Sequence, residues 1–77
     1  MGDLSELELQ ILRYMHMAGG YHSPSEIAPN VGLSLQETTD RLNELEWVGY
    51  VEEREGPDGA ESTFSLTSDG VDAANTL

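Results

Sequence analysis

Three short stretches divide this chain before any apolar pattern is considered: Ser5-Glu6-Leu7-Glu8, Ser23-Pro24-Ser25-Glu26 and Ser34-Leu35-Gln36-Glu37. Each sets a serine three residues ahead of a glutamate. The serine oxygen can accept the glutamate's backbone N–H while the carboxylate reaches back to the serine N–H. A helix start leaves four N–H groups without partners, and such a pair satisfies two of them. The first half of the chain is thereby committed to three helices, with room for little but turns between them.

The apolar spacing agrees. The first helix, about residues 5 to 18, sets Leu7, Ile11 and Tyr14 in one row with Leu12 and Met15 beside them, and Leu4 is placed to staple onto Leu9. Gly19-Gly20 ends it. In the second, Pro24 takes the first helical position, where a missing N–H costs nothing, and Ile27 and Ala28 are apolar. Pro29 is expected to distort or end this helix before Asn30-Val31-Gly32 turns the chain. The third, about residues 35 to 48, places Leu35, Leu42, Leu45 and Val48 on one side with Thr38 filling the gap, and Gly49 is suited to a left-handed end. Tyr50 to Glu55 alternates, Gly56-Pro57-Asp58-Gly59 turns, and Ser62 to Leu66 returns, which predicts a hairpin with a long loop. A short helix from Thr67 or Ser68 covers Val71, Ala73 and Ala74, and Tyr21-His22 is a candidate brief third strand.

Folding hides only about 60% of the surface that a chain of this size exposes when unfolded, so the core is thin. With 38% apolar residues and no linker, repeat or low-complexity tract, residues 1–77 read as one domain. Against that small core stands a large charge: fifteen Asp and Glu face three arginines (Arg13, Arg41 and Arg54), lysine is absent, and the net charge is -12. In dilute buffer such a surface repels nucleic acid and anionic membranes and strains its own compact state. Either the partners are cationic, or the surroundings are concentrated salt, where the Debye length shrinks to roughly 3 Å. The acid is spread along the whole chain, which favours the second reading, because a binding patch is local and a solvent adaptation is global. The composition resembles that of proteins from halophilic archaea.

No apolar run approaches the roughly 18 residues of a membrane span, and the opening MGDLSELELQ is acidic where a secretory signal is basic. The expectation is a soluble, cytoplasmic protein with no membrane partner. Absence of cysteine removes disulfides, thiolate catalysis and cysteine zinc sites together. No nucleophile stands at informative spacing from a base, and there is no glycine-rich phosphate loop or metal carboxylate motif, so the chain is expected to be no enzyme and to need no cofactor. His16 and His22 are expected to be solvated or hydrogen-bonded rather than metal ligands.

In its order of helix, short strand, helix, tight turn, helix, hairpin and helix, the chain resembles the winged helix-turn-helix transcriptional regulators, MarR-like and ArsR-like. The resemblance rests on Ser23 to Val51, patterned as cap, Glu-Ile-Ala, Gly, Leu-Ser, then Thr-Thr-Asp-Arg-Leu-Asn-Glu-Leu and Gly-Tyr-Val. It rests equally on Phe64-Ser65-Leu66-Thr67-Ser68-Asp69-Gly70, an aromatic-x-Leu-Thr-x-x-Gly ending. It implies an α+β fold with a three-helix core, a β-hairpin wing and a short C-terminal helix. It also implies a regulator, expected to be a repressor, that occupies promoters on double-stranded DNA with no small-molecule ligand evident. The third helix would lie in the major groove and the wing on the flanking backbone or minor groove. A homodimer is implied too, with helix one and the tail from Val71 to Leu77 as candidate surfaces.

Around the third helix, the residues opposite Leu35, Leu42 and Leu45 are Gln36, Asp40, Asn43 and Trp47, with Glu37 and Glu44 at the edge. Gln36, near the helix start, is the best base reader, because an amide pairs bidentately with adenine. Thr39 and Asn43 offer base or phosphate contacts, Arg41 is placed to reach a phosphate, and Arg54 is the only basic residue near the wing. With Ser34, Glu37 and Asp40 these complete the expected DNA-binding set. The same residues are ordinary on a solvated helix face, and a winged helix used for protein contact without DNA is the alternative. The carboxylates Glu37, Asp40, Glu44 and Glu46 are compatible with DNA if cations are held between them and phosphates. Trp47 is expected to fold back on the hairpin or a terminal helix, with a dimer or partner contact as the other reading.

If ambient ions neutralise the surplus negative charge, the thermal unfolding midpoint, followed by circular dichroism, rises steadily as KCl goes from millimolar to molar. An unchanged midpoint in nearly ion-free water excludes a salt-dependent fold.

Overall fold

The structure, a computed structural model, describes residues 4 to 75. Ser5, Ser23 and Ser34 each adopt extended backbone and start a helix: α1 (Glu6–Ala18), α2 (Pro24–Val31) and α3 (Leu35–Val48). In all three the serine Oγ accepts the N–H of the glutamate three residues on, at 3.0 to 3.2 Å. Only at α1 is the arrangement reciprocal, with the Ser5 N–H donating to Glu8 Oε1 at 3.1 Å. Glu26 instead accepts from the Tyr14 hydroxyl at 2.9 Å and faces His22 Nδ1 at 2.6 Å, and Glu37 pairs with Arg41 at 2.9 Å. A carboxylate gains more from such side-chain donors, above all a cationic one, than from a cap N–H that water also satisfies.

Pro29 does not stop α2, which runs on to Val31. The N–H that proline lacks would have bonded the carbonyl of Ser25, an exposed residue in the first turn. The next carbonyl, that of Glu26, gains a bond from Asn30 Nδ2 at 2.8 Å, and Gly32, left-handed at φ 76°, closes the helix.

On α3 the buried stripe is narrower than expected. Thr38, Leu42 and Leu45 are fully buried, but Leu35 is 51% and Val48 56% exposed. At 100° per residue Leu35 lies about 50° and Val48 about 90° from the centre of those three positions, on opposite flanks. The Thr38 hydroxyl, filling the predicted gap, has no hydrogen-bond partner. Leu42 and Leu45 pack with Ile11, Leu12 and Met15 of α1 and Ile27 of α2 in one core, completed by Val51, Phe64 and Ala74.

Gly49, at φ 93°, ends α3 as predicted and directs the chain into β1 (Val51–Arg54), which pairs antiparallel with β2 (Thr63–Leu66), Val51 opposite Leu66. A 3₁₀ turn at Pro57–Gly59 lies in the connecting loop. The expected third strand is a single bridge, in which His22 and Phe64 exchange both backbone hydrogen bonds at 2.8 Å. The chain then enters α4 (Ser68–Asn75). The last two residues of the expected tail, Thr76 and Leu77, lie outside the described residues.

Thr67 holds the second half together. Its Oγ1 donates to the Gly49 carbonyl at 2.7 Å and accepts the Gly70 N–H at 3.1 Å, and its own N–H donates to the Tyr50 carbonyl at 3.0 Å. Gly70 is buried against that same Tyr50 carbonyl, where a Cβ would fall well inside van der Waals contact. The Leu-Thr-x-x-Gly ending is therefore a cap, a tie and a close approach in consecutive turns. The whole is an α+β winged helix-turn-helix: three helices, a hairpin wing and a short terminal helix.

Gly70→Ala must displace backbone, so urea denaturation is expected to show a loss of about 3 kcal/mol, at the upper end for overpacking. Asn75→Ala, exposed on the same helix, should stay within about 0.5 kcal/mol of the parent.

Candidate nucleic-acid interface

Burial of Thr38, Leu42 and Leu45 turns the opposite side of α3 outward. Gln36, Asp40, Asn43 and Trp47 are all exposed there. Gln36 Nε2 donates to Asp40 Oδ1 at 3.1 Å across one turn, which orients the Gln36 amide and leaves its carbonyl oxygen facing away from that carboxylate bond. Asn43 continues the row. Ser34 and Thr39 belong to the scaffold of this helix: the Ser34 Oγ caps it through Glu37, and the half-buried Thr39 hydroxyl donates to the Leu35 carbonyl at 2.9 Å.

Arg41 and Glu37 lie on the flank. The Arg41 guanidinium touches three carboxylates: Glu37 at 2.9 Å, Glu44 at 3.6 Å and Glu8 of α1 at 4.0 Å. The Glu37 hydrogen bond, chiefly, raises the Arg41 pKa further. Glu44 is pushed up from the usual carboxylate range, first by its hydrogen bond with Glu8, then by partial desolvation and the Glu8 charge, with Arg41 opposing. One cation thus serves a surplus of acid between α1 and α3.

Arg54 stands apart on the wing, its guanidinium 5.0 Å from the centre of the Tyr21 ring, while the Tyr21 hydroxyl donates to Glu52 at 3.3 Å. Of the eight residues expected at DNA, the fold therefore gathers Gln36, Asp40 and Asn43 on one face. It assigns Ser34 and Thr39 to helix structure, ties Glu37 to Arg41 at the edge and holds Arg54 on the hairpin.

Two residues behave in ways the sequence reading did not resolve. Trp47 does not fold back on hairpin or helix; it is 89% exposed. The buried side of α3 is already filled by Thr38, Leu42 and Leu45. With Leu4, Leu45, Val48 and Tyr50 it borders an open groove of about 510 Å³ between the start of α1 and the end of α3. A tryptophan at a position opposite the leucine stripe was the available signal. His22 is hydrogen-bonded, its Nδ1 to Glu26 and its Nε2 to the Gly19 carbonyl, both at 2.6 Å, while His16 is exposed. The Tyr14 hydroxyl, and next His22, lower the Glu26 pKa. Among the described residues no group of three or more His, Cys, Asp or Glu is arranged to hold a metal ion, and no helix is long and apolar enough to cross a membrane.

Solved structures share this architecture. MarR from E. coli in its reduced form has a TM-score of 0.84 with this chain at 23% identity, over 94% of this chain and 53% of that one. A MarR mutant from E. coli complexed with operator DNA gives 0.83 at 23% identity, over 94% and 51%. MepR, a transcription regulator of the Staphylococcus aureus multidrug efflux pump MepA, gives 0.83 at 15% identity, over 94% and 53%. The fold is that of these winged-helix regulators, and the chain spans about half the length of each. No protein-family model matches the sequence, and no curated protein matches it.

Because Glu44 is raised, the folded protein holds its proton more tightly than the unfolded chain does, which costs stability above the carboxylate range and nothing below it. Glu44→Gln is therefore expected to raise the urea midpoint at neutral pH. The advantage should fade as pH falls through the carboxylate range; an advantage that persists in acid excludes this origin.

Proposed function

We propose that this chain is a sequence-specific, DNA-binding transcriptional regulator of the MarR-like or ArsR-like winged-helix group, with residues 1–77 acting as one domain. In this reading it is a cytoplasmic repressor that occupies a promoter on double-stranded DNA in concentrated salt, as a homodimer, with no cofactor and no catalytic activity. The carrying observation is the outward row on α3: Gln36, oriented by Asp40, followed by Asn43, on a helix capped by Ser34. Gln36 would read an adenine edge, Asn43 and Thr39 a base or phosphate, and Arg54 the backbone beside the wing. The likeness to a regulator solved with operator DNA supports this docking.

Arg41 is redrawn by its surroundings. Its charge is shared with three carboxylates, so it would approach a phosphate only together with Glu37, as part of a mixed-charge edge where a bound cation completes the bridge. The high-salt setting is supported by the net charge of -12, dispersed and without lysine. Protein contact without DNA is the second reading, and the exposure of Trp47 favours it.

Selection of bound duplexes from a random pool at molar KCl separates the two. Enrichment of one sequence is expected, and Gln36→Ala should relax a single A·T position by about 1–3 kcal/mol, the usual value of a bidentate pair. If no sequence is enriched, the protein-contact reading takes over.

A further inference from the structure

The groove between the start of α1 and the end of α3 begins at Asn43, the last residue of the proposed base-reading row, and extends from there away from Gln36. Trp47 is eleven residues beyond Gln36, about 16 Å along the axis at 1.5 Å per residue. The apolar border of the groove is Leu4, Leu45, Trp47, Val48 and Tyr50, and Glu8, Asn43 and Glu44 supply its polar lining. A largely exposed indole beside a half-exposed valine forms a contiguous apolar surface, of the kind that marks interaction sites on otherwise polar proteins. The acid beside it is in excess: among the described residues Arg41 is the single cation facing Glu8, Glu37 and Glu44, and Glu8 and Glu44 already crowd one another.

We propose that this groove docks a basic, apolar-anchored segment of a partner protein, with apolar side chains entering between Trp47 and Val48 and a neighbouring arginine or lysine meeting Glu8 and Glu44. Charge complementarity selects this occupant. A second copy of the chain has only three arginines and no lysine to set against Glu8 and Glu44, so it is a poor match for this face. Duplex DNA would bring phosphates against the same carboxylates. A small molecule held in this half-open groove would leave part of its surface in water. A peptide segment suits an open apolar channel with one charged edge, and tryptophan is the residue most enriched among energetic anchors at protein interfaces. This surface adds to the DNA-binding reading and does not depend on it.

Trp47 is the only tryptophan, so its emission reports the groove directly. The probes for the full chain are three synthetic peptides of equal length: leucine alternating with arginine, serine alternating with arginine, and leucine alternating with glutamate. The leucine–arginine peptide is expected to shift Trp47 emission to shorter wavelength and to saturate. The other two peptides should produce no shift. Val48→Asp, at an exposed position that leaves the core intact, should weaken the first peptide about tenfold or more, as loss of a contact beside an anchor does. Glu44→Gln should weaken it more in dilute than in molar KCl. Equal binding of the serine–arginine peptide, or unchanged affinity in Val48→Asp, would overturn the proposal. So would a concentration-dependent emission shift of the protein alone, which would assign the groove to a dimer. Displacement of the peptide by duplex DNA would likewise overturn it and give this face to nucleic acid.

Discussion

The seating of Thr38, Leu42 and Leu45 against α1 and α2 governs everything else in this molecule. A straight helix that buries one stripe must display the opposite one, because side chains four apart share a face and those two apart do not. Once these three residues are inside, Gln36, Asp40, Asn43 and Trp47 have nowhere to go but outward. The candidate interface is thus a geometric consequence of core packing and needs no separate folding energy. With so thin a core each member matters, and even the Thr38 hydroxyl is fully buried with no hydrogen-bond partner among the described residues.

The wing is positioned by a set of hydrogen bonds in addition to the burial of Val51 and Phe64. Gly49 turns the chain out of α3, Thr67 bonds the carbonyls of Gly49 and Tyr50, and Gly70 admits the close approach that this requires. On the other side, His22 exchanges two backbone bonds with Phe64 while its ring is held by Glu26 of α2 and the Gly19 carbonyl. The hairpin is consequently tied to the ends of α1 and α3 and to the start of α4. Its angle to α3 is set by backbone groups, which do not weaken in high salt as exposed ion pairs do.

Legibility from sequence follows the range of the interactions. The three serine caps, the left-handed Gly49, the hairpin and the short final helix were readable because each depends on neighbours within a few residues. The failures depend on contacts between elements. Glu26 and Glu37 abandon the reciprocal cap because Tyr14, His22 and Arg41 arrive from elsewhere in the fold or along the helix. Leu35 and Val48 look like core residues by type, yet fall on the flanks of a stripe whose centre only the packing of α1 and α2 defines. The chemistry of Trp47 favours cover, but its place on the helix, opposite Leu42 and Leu45, points to water, and position prevails. On the expected DNA-reading face, the residues themselves were legible; the engagement of Arg41 with three carboxylates was not.

That engagement bears on how an acidic winged helix can approach a polyanion. Affinity for DNA ordinarily comes from releasing counterions as lysine and arginine meet phosphates, and it scales with the number of such contacts. Here the cations are Arg13, exposed on α1, Arg41, shared among carboxylates, and Arg54, lying over Tyr21. Few phosphates can be neutralised, so the salt-dependent part of binding is small at any ionic strength. On the proposed function, what would remain is hydrogen bonding from the α3 amides, shape fit of helix and wing, and ions held between opposing anions. A protein built this way gives up the long-range attraction that makes dilute-solution binders fast and nonspecific. In concentrated salt that attraction is already screened, and the non-specific background that it supports shrinks with it, so in the proposed reading discrimination would rest on a few well-oriented groups such as the Gln36 amide.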